Sequence, residues 1–233
     1  MFRKDTWENW EKSVLEIFSM ALAELISRKP LPKKEDDLNR ALACILRECR
    51  WKWINSNKRE VQGLPFYQAK GQPDPNDAAK QPKENKIPEF TWGFTDYQNN
   101  MDKNYHVECK RLMEDKYHYC KEYVENGIRR FVEKEWSYGV ECESGLMIGY
   151  IQGMEFQNIL HWVNHYIEKY SWSPLILEGQ WQKDSLSRLE NRLERPQVPI
   201  SPFKLCISGP ICGNRHPRST FINLLANNHR AFG

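Results

Sequence analysis

The chain has 233 residues, 40% of them hydrophobic and 28% charged, with 34 basic side chains against 31 acidic ones. That length can bury one sizeable core, so a single domain over residues 1–233 is expected. A net charge of +3 is too small to mark a nucleic-acid partner by bulk charge, and no apolar run approaches the roughly 18 residues of a membrane span.

The N-terminal stretch MFRKDTWENWEKSVLEIFSM carries acids and tryptophans throughout and lacks the apolar segment and small-residue cleavage site of a secretory signal. Seven cysteines, an odd number without regular spacing, read as reduced thiols rather than a disulfide framework. Together these features predict a cytoplasmic protein with no membrane partner.

From Trp7 to Ser27 apolar residues recur at three- and four-residue steps, which predicts an amphipathic helix closed by RKPLP. A second helix is expected from Glu35 through LNRALACILRECRWKWI, burying Leu38, Leu42, Ile45 and Leu46. The acids of its first turn, Glu35, Asp36 and Asp37, suit the helix dipole without any further role. Residues 56–88 are rich in Pro, Gly, Asn and Lys and show no period. They read as a long loop, either a flap over a substrate groove or a plain insertion.

The pattern then changes to period two. EFTWGFTDY and YHVECKRL, separated by the polar cluster QNNMDKN, predict a β-hairpin. Residues 117–136 return to helical spacing, GLMIGYIQ reads as a buried strand, and EFQNILHWVNHYIEKY as another helix. SPLILEG and FKLCISG are two further strand candidates, separated by the charged segment KDSLSRLENRLERP. The fold class is therefore α/β, or α+β with a mixed sheet.

The chemistry concentrates in YHVECKRL. Alternation sends Glu108 and Lys110 to one face and Val107 and Cys109 to the other. A carboxylate and an ammonium on a strand face need a partner or a task, because isolating such charges costs on the order of several kcal/mol. Asp96, twelve residues earlier on the preceding strand, is expected to bring a second carboxylate toward Glu108. Paired carboxylates suit a hard divalent cation such as Mg²⁺. The ion would activate a water and neutralise charge on a phosphate. Lys110 would orient or deprotonate that water, or stabilise the transition state. The bland alternative is a surface ion pair worth about 0 to 1 kcal/mol.

Asp96 followed by the Glu108-x-Lys110 triplet, with an apolar lead-in and Arg-Leu after the lysine, resembles the PD-(D/E)XK nuclease superfamily. The order of helix, hairpin, helix and strand across residues 35–155 resembles that family too, and implies a restriction-endonuclease-like core, with residues 89–155 catalytic. The resemblance implies a Mg²⁺- or Mn²⁺-dependent nuclease acting on DNA, of the kind found in restriction, repair or phage defence. Asp96, Glu108 and the Cys109 carbonyl would be ligands and Lys110 the catalytic lysine. Glu35, or Asp36 or Glu48 in its place, would be a helper acid and Gln152 an accessory residue. Protein partners in a larger complex, or a homodimer, would also fit. The family's Pro-Asp signature is absent at Asp96, which follows Thr95, whereas Pro88-Glu89 opens the same strand. Glu89 is therefore the alternative ligand. A catalytically silent binding or scaffold subunit is the alternative function.

Lys103, Arg111, Lys116, Arg129 and Arg130 are candidate phosphate contacts, because such residues provide most non-specific affinity for a polyanion. Trp51, Trp53, Trp92 and Tyr97 are candidates for stacking on bases, with core packing as the plainer use. Cys206, Cys212 and His216 lack a close cysteine pair and a fourth zinc ligand. SGPICGN lacks the Gly-Lys-Ser/Thr ending of a phosphate loop. His161 and His165 stand one helical turn apart with no intervening protease glutamate, which favours a plain helix surface.

Overall fold

Three- and four-residue spacing does its expected work at the N-terminus. In the computed structural model, α1 (Trp7–Ser27) buries Trp7, Trp10, Val14, Ile17, Phe18 and Leu22. Its first turn is capped by Thr6, whose side chain accepts from Asn9 N at 3.4 Å. Helix α2 (Glu35–Asn57) lies beside it with Leu38, Leu42, Ile45 and Leu46 buried. The structure describes residues 6–28, 30–68, 87–113, 117–136, 138–154, 156–177, 187–198, 200–201 and 203–209. Lys116, Cys212, His216 and most of the long loop lie outside the described residues.

Among the described residues seven strands form one mixed sheet: β1 (Pro65–Tyr67), β2 (Phe90–Asp96), β3 (Met101–Met113), β4 (Ser144–Gln152), β5 (Ile176–Leu177), β6 (Ser187–Leu193) and β7 (Phe203–Gly209). Their order across the sheet is β1-β2-β3-β4-β7-β6-β5. The central pairs β3–β4 and β4–β7 are parallel and the outer pairs antiparallel. Helices α1 and α2 cover one face, sealing Phe90, Trp92, Phe94, Val107, Cys109 and Ile148 into a first core. The other face carries α3 (His118–Tyr123), a π turn (Val124–Ile128), α4 (Arg129–Val132) and α5 (Phe156–Glu168). Met147, Ile151, Ile128, Phe131 and Val163 build the second core there. Strand β4 is covered on both faces, as a central parallel strand must be. Each of its large apolar side chains contributes about 1.5–3 kcal/mol through burial.

Three local features depart from the sequence-based expectations. The charged segment KDSLSRLENRLERP contains β6, paired along its length with β7, and the long loop contributes β1, paired with β2. Residues 117–136 form a helix broken by the π turn and ended by a 3₁₀ turn (Lys134–Trp136). Gly127 sits within that π turn, where a Cβ would stand 2.5 Å from Met147 Cε and 3.7 Å from Lys110 Cγ. A Cβ there would require the end of the Met147 side chain to move aside. No helix among the described residues is long and apolar enough to cross a membrane.

Candidate active site where β2 and β3 part

Strand β3 changes partner midway. Its first half, Met101 to Val107, pairs with β2, and its second half, Val107 to Met113, pairs with β4. The β2 ladder therefore ends immediately before Glu108-Cys109-Lys110. Backbone groups beyond that point take side-chain partners instead. Arg111 N donates to Glu35 Oε2 at 3.0 Å, and the Cys109 carbonyl accepts from Lys110 Nζ at 2.8 Å. An unpaired strand N–H needs such a substitute, and the N-terminus of α2 delivers it.

Glu108 is fully buried. Its Oε1 accepts from Arg130 Nη1 at 2.5 Å, and its Oε2 from Lys110 Nζ at 3.3 Å. Lys110 Nζ also donates to Glu35 Oε1 at 3.1 Å. Burial pushes the Glu108 carboxyl above its usual range, against the pull of Lys110 and Arg130. For Lys110 the balance runs the other way. Burial disfavours its charge, but Glu108 and Glu35 outweigh that and hold the ammonium above its ordinary range. The Arg130 guanidinium lies 4.8 Å from the Trp136 ring and 5.9 Å from that of Tyr138, so it is fixed on both sides.

Glu89 completes the group. The register Phe90↔Val107 sets it next to Glu108. Burial, then the charges of Glu108 and Glu35, raise its carboxyl, while Lys110 and a hydrogen bond from the Gln68 side chain lower it. Its Oε2 is buried without a hydrogen-bond partner, an arrangement natural proteins retain at a cost.

An open cleft of about 400 Å³ is lined by Glu35, Lys110, Arg130 and Arg111, with Tyr119, Glu122 and Asn126 also bordering it. Arg111 is anchored by the Lys33 carbonyl at 2.7 Å and the Tyr119 hydroxyl at 2.9 Å. Gln152 Nε2 donates to the Lys33 carbonyl at 3.4 Å. It thereby steadies the turn before α2 rather than touching Lys110. Tyr150 Oη donates to Asn39 Oδ1 at 2.8 Å, a buried bond that ties α2 to β4.

Several expected site residues lie elsewhere. Asp96 pairs in register with Met101, at the far end of the hairpin. Seven strand residues, about 23 Å, separate that position from Glu108. The expected convergence of Asp96 and Glu108 is thus corrected by the register, which sets Glu89 rather than Asp96 next to Glu108. Asp96 accepts instead from Gln98 N at 3.1 Å and Asn99 N at 3.2 Å, shaping the turn. Lys103 joins it there at 3.4 Å and is not available at the cleft. Arg130 is turned inward onto Glu108, so it is a partner of the carboxylate rather than a free phosphate contact. Arg129 is paired with Glu133 at 2.5 Å. Glu48 pairs with Arg28, and Asp36 is exposed, so Glu35 is the helix acid that reaches the site. Trp53 and Trp92 are core residues, whereas Trp51 and Tyr97 are exposed. Sequence reasoning missed the inward role of Arg130, whose helical spacing carried no sign that its partner would be Glu108.

The donor set suits a hard cation. Glu35, Glu108 and the Cys109 carbonyl already surround one positive charge, the Lys110 ammonium, entirely with oxygen, and Glu89 is near enough to feel the charges of Glu108, Lys110 and Glu35. Among the described residues, no three acid, histidine or cysteine side chains are drawn together tightly enough to hold an ion unaided. The acids share the lysine instead. Comparison with protein-family models, with curated proteins and with solved structures gives no match. The arrangement itself defines a class: a mixed-sheet α/β protein with a buried acid–lysine network opening on a cleft.

Proposed function

We propose that this chain is a divalent-cation-dependent nuclease that hydrolyses phosphodiester bonds in DNA, built on a restriction-endonuclease-like core. The observation that carries the reading is the oxygen shell around Lys110 Nζ at the parting of β2 and β3. The register adds support. With Glu89 in place of Asp96, the set becomes Pro88-Glu89 followed by Glu108-x-Lys110, nearer the family signature than the pattern built on Thr95-Asp96.

In this mechanism Glu89, Glu108 and the Cys109 carbonyl would hold Mg²⁺ or Mn²⁺, with Glu35 at the margin. When bound, the ion supplies Lewis-acid neutralisation of phosphate charge and a more acidic water. The remaining work belongs to the chain's own side chains. Lys110, kept protonated by its acidic neighbours, donates a hydrogen bond to the attacking water and stabilises charge on the phosphoryl oxygens. It is poorly suited to act as the base. Arg130 fixes the rotamer of Glu108, and Arg111 at the cleft wall holds a flanking phosphate.

One observation favours a catalytically silent subunit of a larger complex: Lys110 and Glu108 are already satisfied by protein partners. The deciding experiment is cleavage of plasmid and linear DNA with Mg²⁺, Mn²⁺ or EDTA. Wild type should cut with either ion and stop in EDTA, Lys110→Ala and Glu108→Gln should be inactive, and Asp96→Asn should cut normally. A folded wild type that neither cuts nor gives a heat of ion binding would sink the nuclease reading and leave the silent subunit.

A further inference from the structure

The cleft does not end at Arg111. Its guanidinium lies 5.1 Å from the ring of Tyr119, and the His118 and Tyr119 rings are 4.2 Å apart. The neighbouring Tyr117 has its ring 4.2 Å from that of Trp162 on α5. His161 and His165, both exposed, flank Trp162 edge-on at 5.2 and 5.6 Å. Two aromatic groups thus stand on this side of the molecule: Tyr119 with His118 at the cleft wall, and Tyr117 with Trp162, which two imidazoles border. Trp162 packs against the edge of the second core, but Tyr117, His118 and the two histidines of α5 are exposed. The buried side of α5 is Ile159, Val163 and Ile167, whereas Tyr117 is 45% exposed.

We propose that this rim is a stacking platform for single-stranded DNA, so that the cleft receives an unpaired strand or a frayed end rather than an intact duplex; the inference rests on the nuclease reading. Aromatic faces and a guanidinium plane bind bases through their π surfaces, which a duplex hides in its own stack. Arg111 joins the two functions, because it belongs both to the cleft wall beside Lys110 and to the first ring of the platform. The charge of Arg111 complements a phosphodiester backbone. Of the two acids on the same cleft, Glu122 accepts from Asn126, and Glu35 is engaged with Lys110 and the Arg111 backbone N–H.

The test is binding without cleavage. Fluorescence anisotropy in EDTA would compare a single-stranded DNA of roughly 20 nucleotides, its blunt duplex and the RNA of the same sequence, a length that spans several stacking sites. Wild type should bind the single strand at least about ten-fold more tightly than the duplex. Tyr117→Ala should lose about ten-fold while Tyr117→Phe retains affinity, in keeping with one base stacked per ring. The exposed position of Tyr117 predicts an unchanged melting midpoint for both variants. The proposal is overturned by a duplex bound as tightly as the single strand, by RNA bound more tightly, or by Tyr117→Ala binding like wild type. Ring-dependent binding of a strand that is never cut with Mg²⁺ would uphold the platform and remove the nuclease reading. Cutting with ring-independent binding would do the reverse.

Discussion

The two halves of β3 hold the same ingredients and use them differently. At the hairpin end, Lys103 meets Asp96 at 3.4 Å; in the second half, Lys110 meets Glu108 at 3.3 Å. The carboxyl of Asp96 is held below its usual range, first by the Asn99 side chain and then by backbone N–H groups of the turn. The carboxyl of Glu108 is pushed up by burial. The difference does not lie in the pair but in what surrounds it. The hairpin end is satisfied by its own turn, whereas the second half pairs with β4 but no longer with β2, and it draws in Glu35, Glu89 and Arg130 from three other places in the chain. An ion pair becomes a candidate site where the sheet opens under a covering layer.

Breaking that contrast gives the largest effect. Glu108→Ala leaves Lys110 and Arg130 without their shared carboxylate, and losing one partner of a buried pair costs about 3–5 kcal/mol. Urea denaturation should show it as a large drop in midpoint, with a far smaller change for Asp96→Ala. Gly127→Ala comes next. The added methyl meets only the flexible end of Met147, so the cost should lie at the low end of the roughly 1–3 kcal/mol of overpacking, read from the same denaturation curves.

Glu89→Gln sharpens the comparison in the opposite direction. It removes a charge crowded by Glu108 and Glu35, so it should stabilise the fold by about 1 kcal/mol while weakening cation binding in calorimetry. The sign of its pH dependence follows from linkage. A carboxyl raised in the folded state contributes stability that is full below the ordinary value of 4.5 and lost as pH rises through the folded value. The advantage of Glu89→Gln over wild type should therefore vanish in acid and grow toward neutral pH in thermal melts. The smallest expected effect is that of Asp96→Asn on cleavage, which should be nil. A dead Asp96→Asn variant with a normal melting midpoint would return Asp96 to the site.

The reach of the sequence is clearest at the hairpin. Alternation alone put Glu108 and Lys110 on one face and Val107 and Cys109 in the first core, because strand geometry is local. The choice between Asp96 and Glu89 was not local. It turned on the length of the connection, for which composition suggests the seven residues QNNMDKN. The chain instead turns over 97–100, with Asn100 in the left-handed region at φ 52°, and Met101 already belongs to β3. A shorter turn slides the whole ladder and brings Glu89, not Asp96, beside Glu108. Strand β6 was missed for a related reason: its charged composition hid a pairing that only β7 could supply.

By itself the sequence determined α1, α2, the buried strand β4 and the acid-x-lysine face, since apolar periodicity and strand alternation are written in neighbouring residues. Only the tertiary structure decided which acids join that face, that Arg130 turns inward to Glu108, and that Glu35 caps the open edge of β3. Those outcomes depend on register and on helix placement, which are set by many weak contacts far apart in the chain.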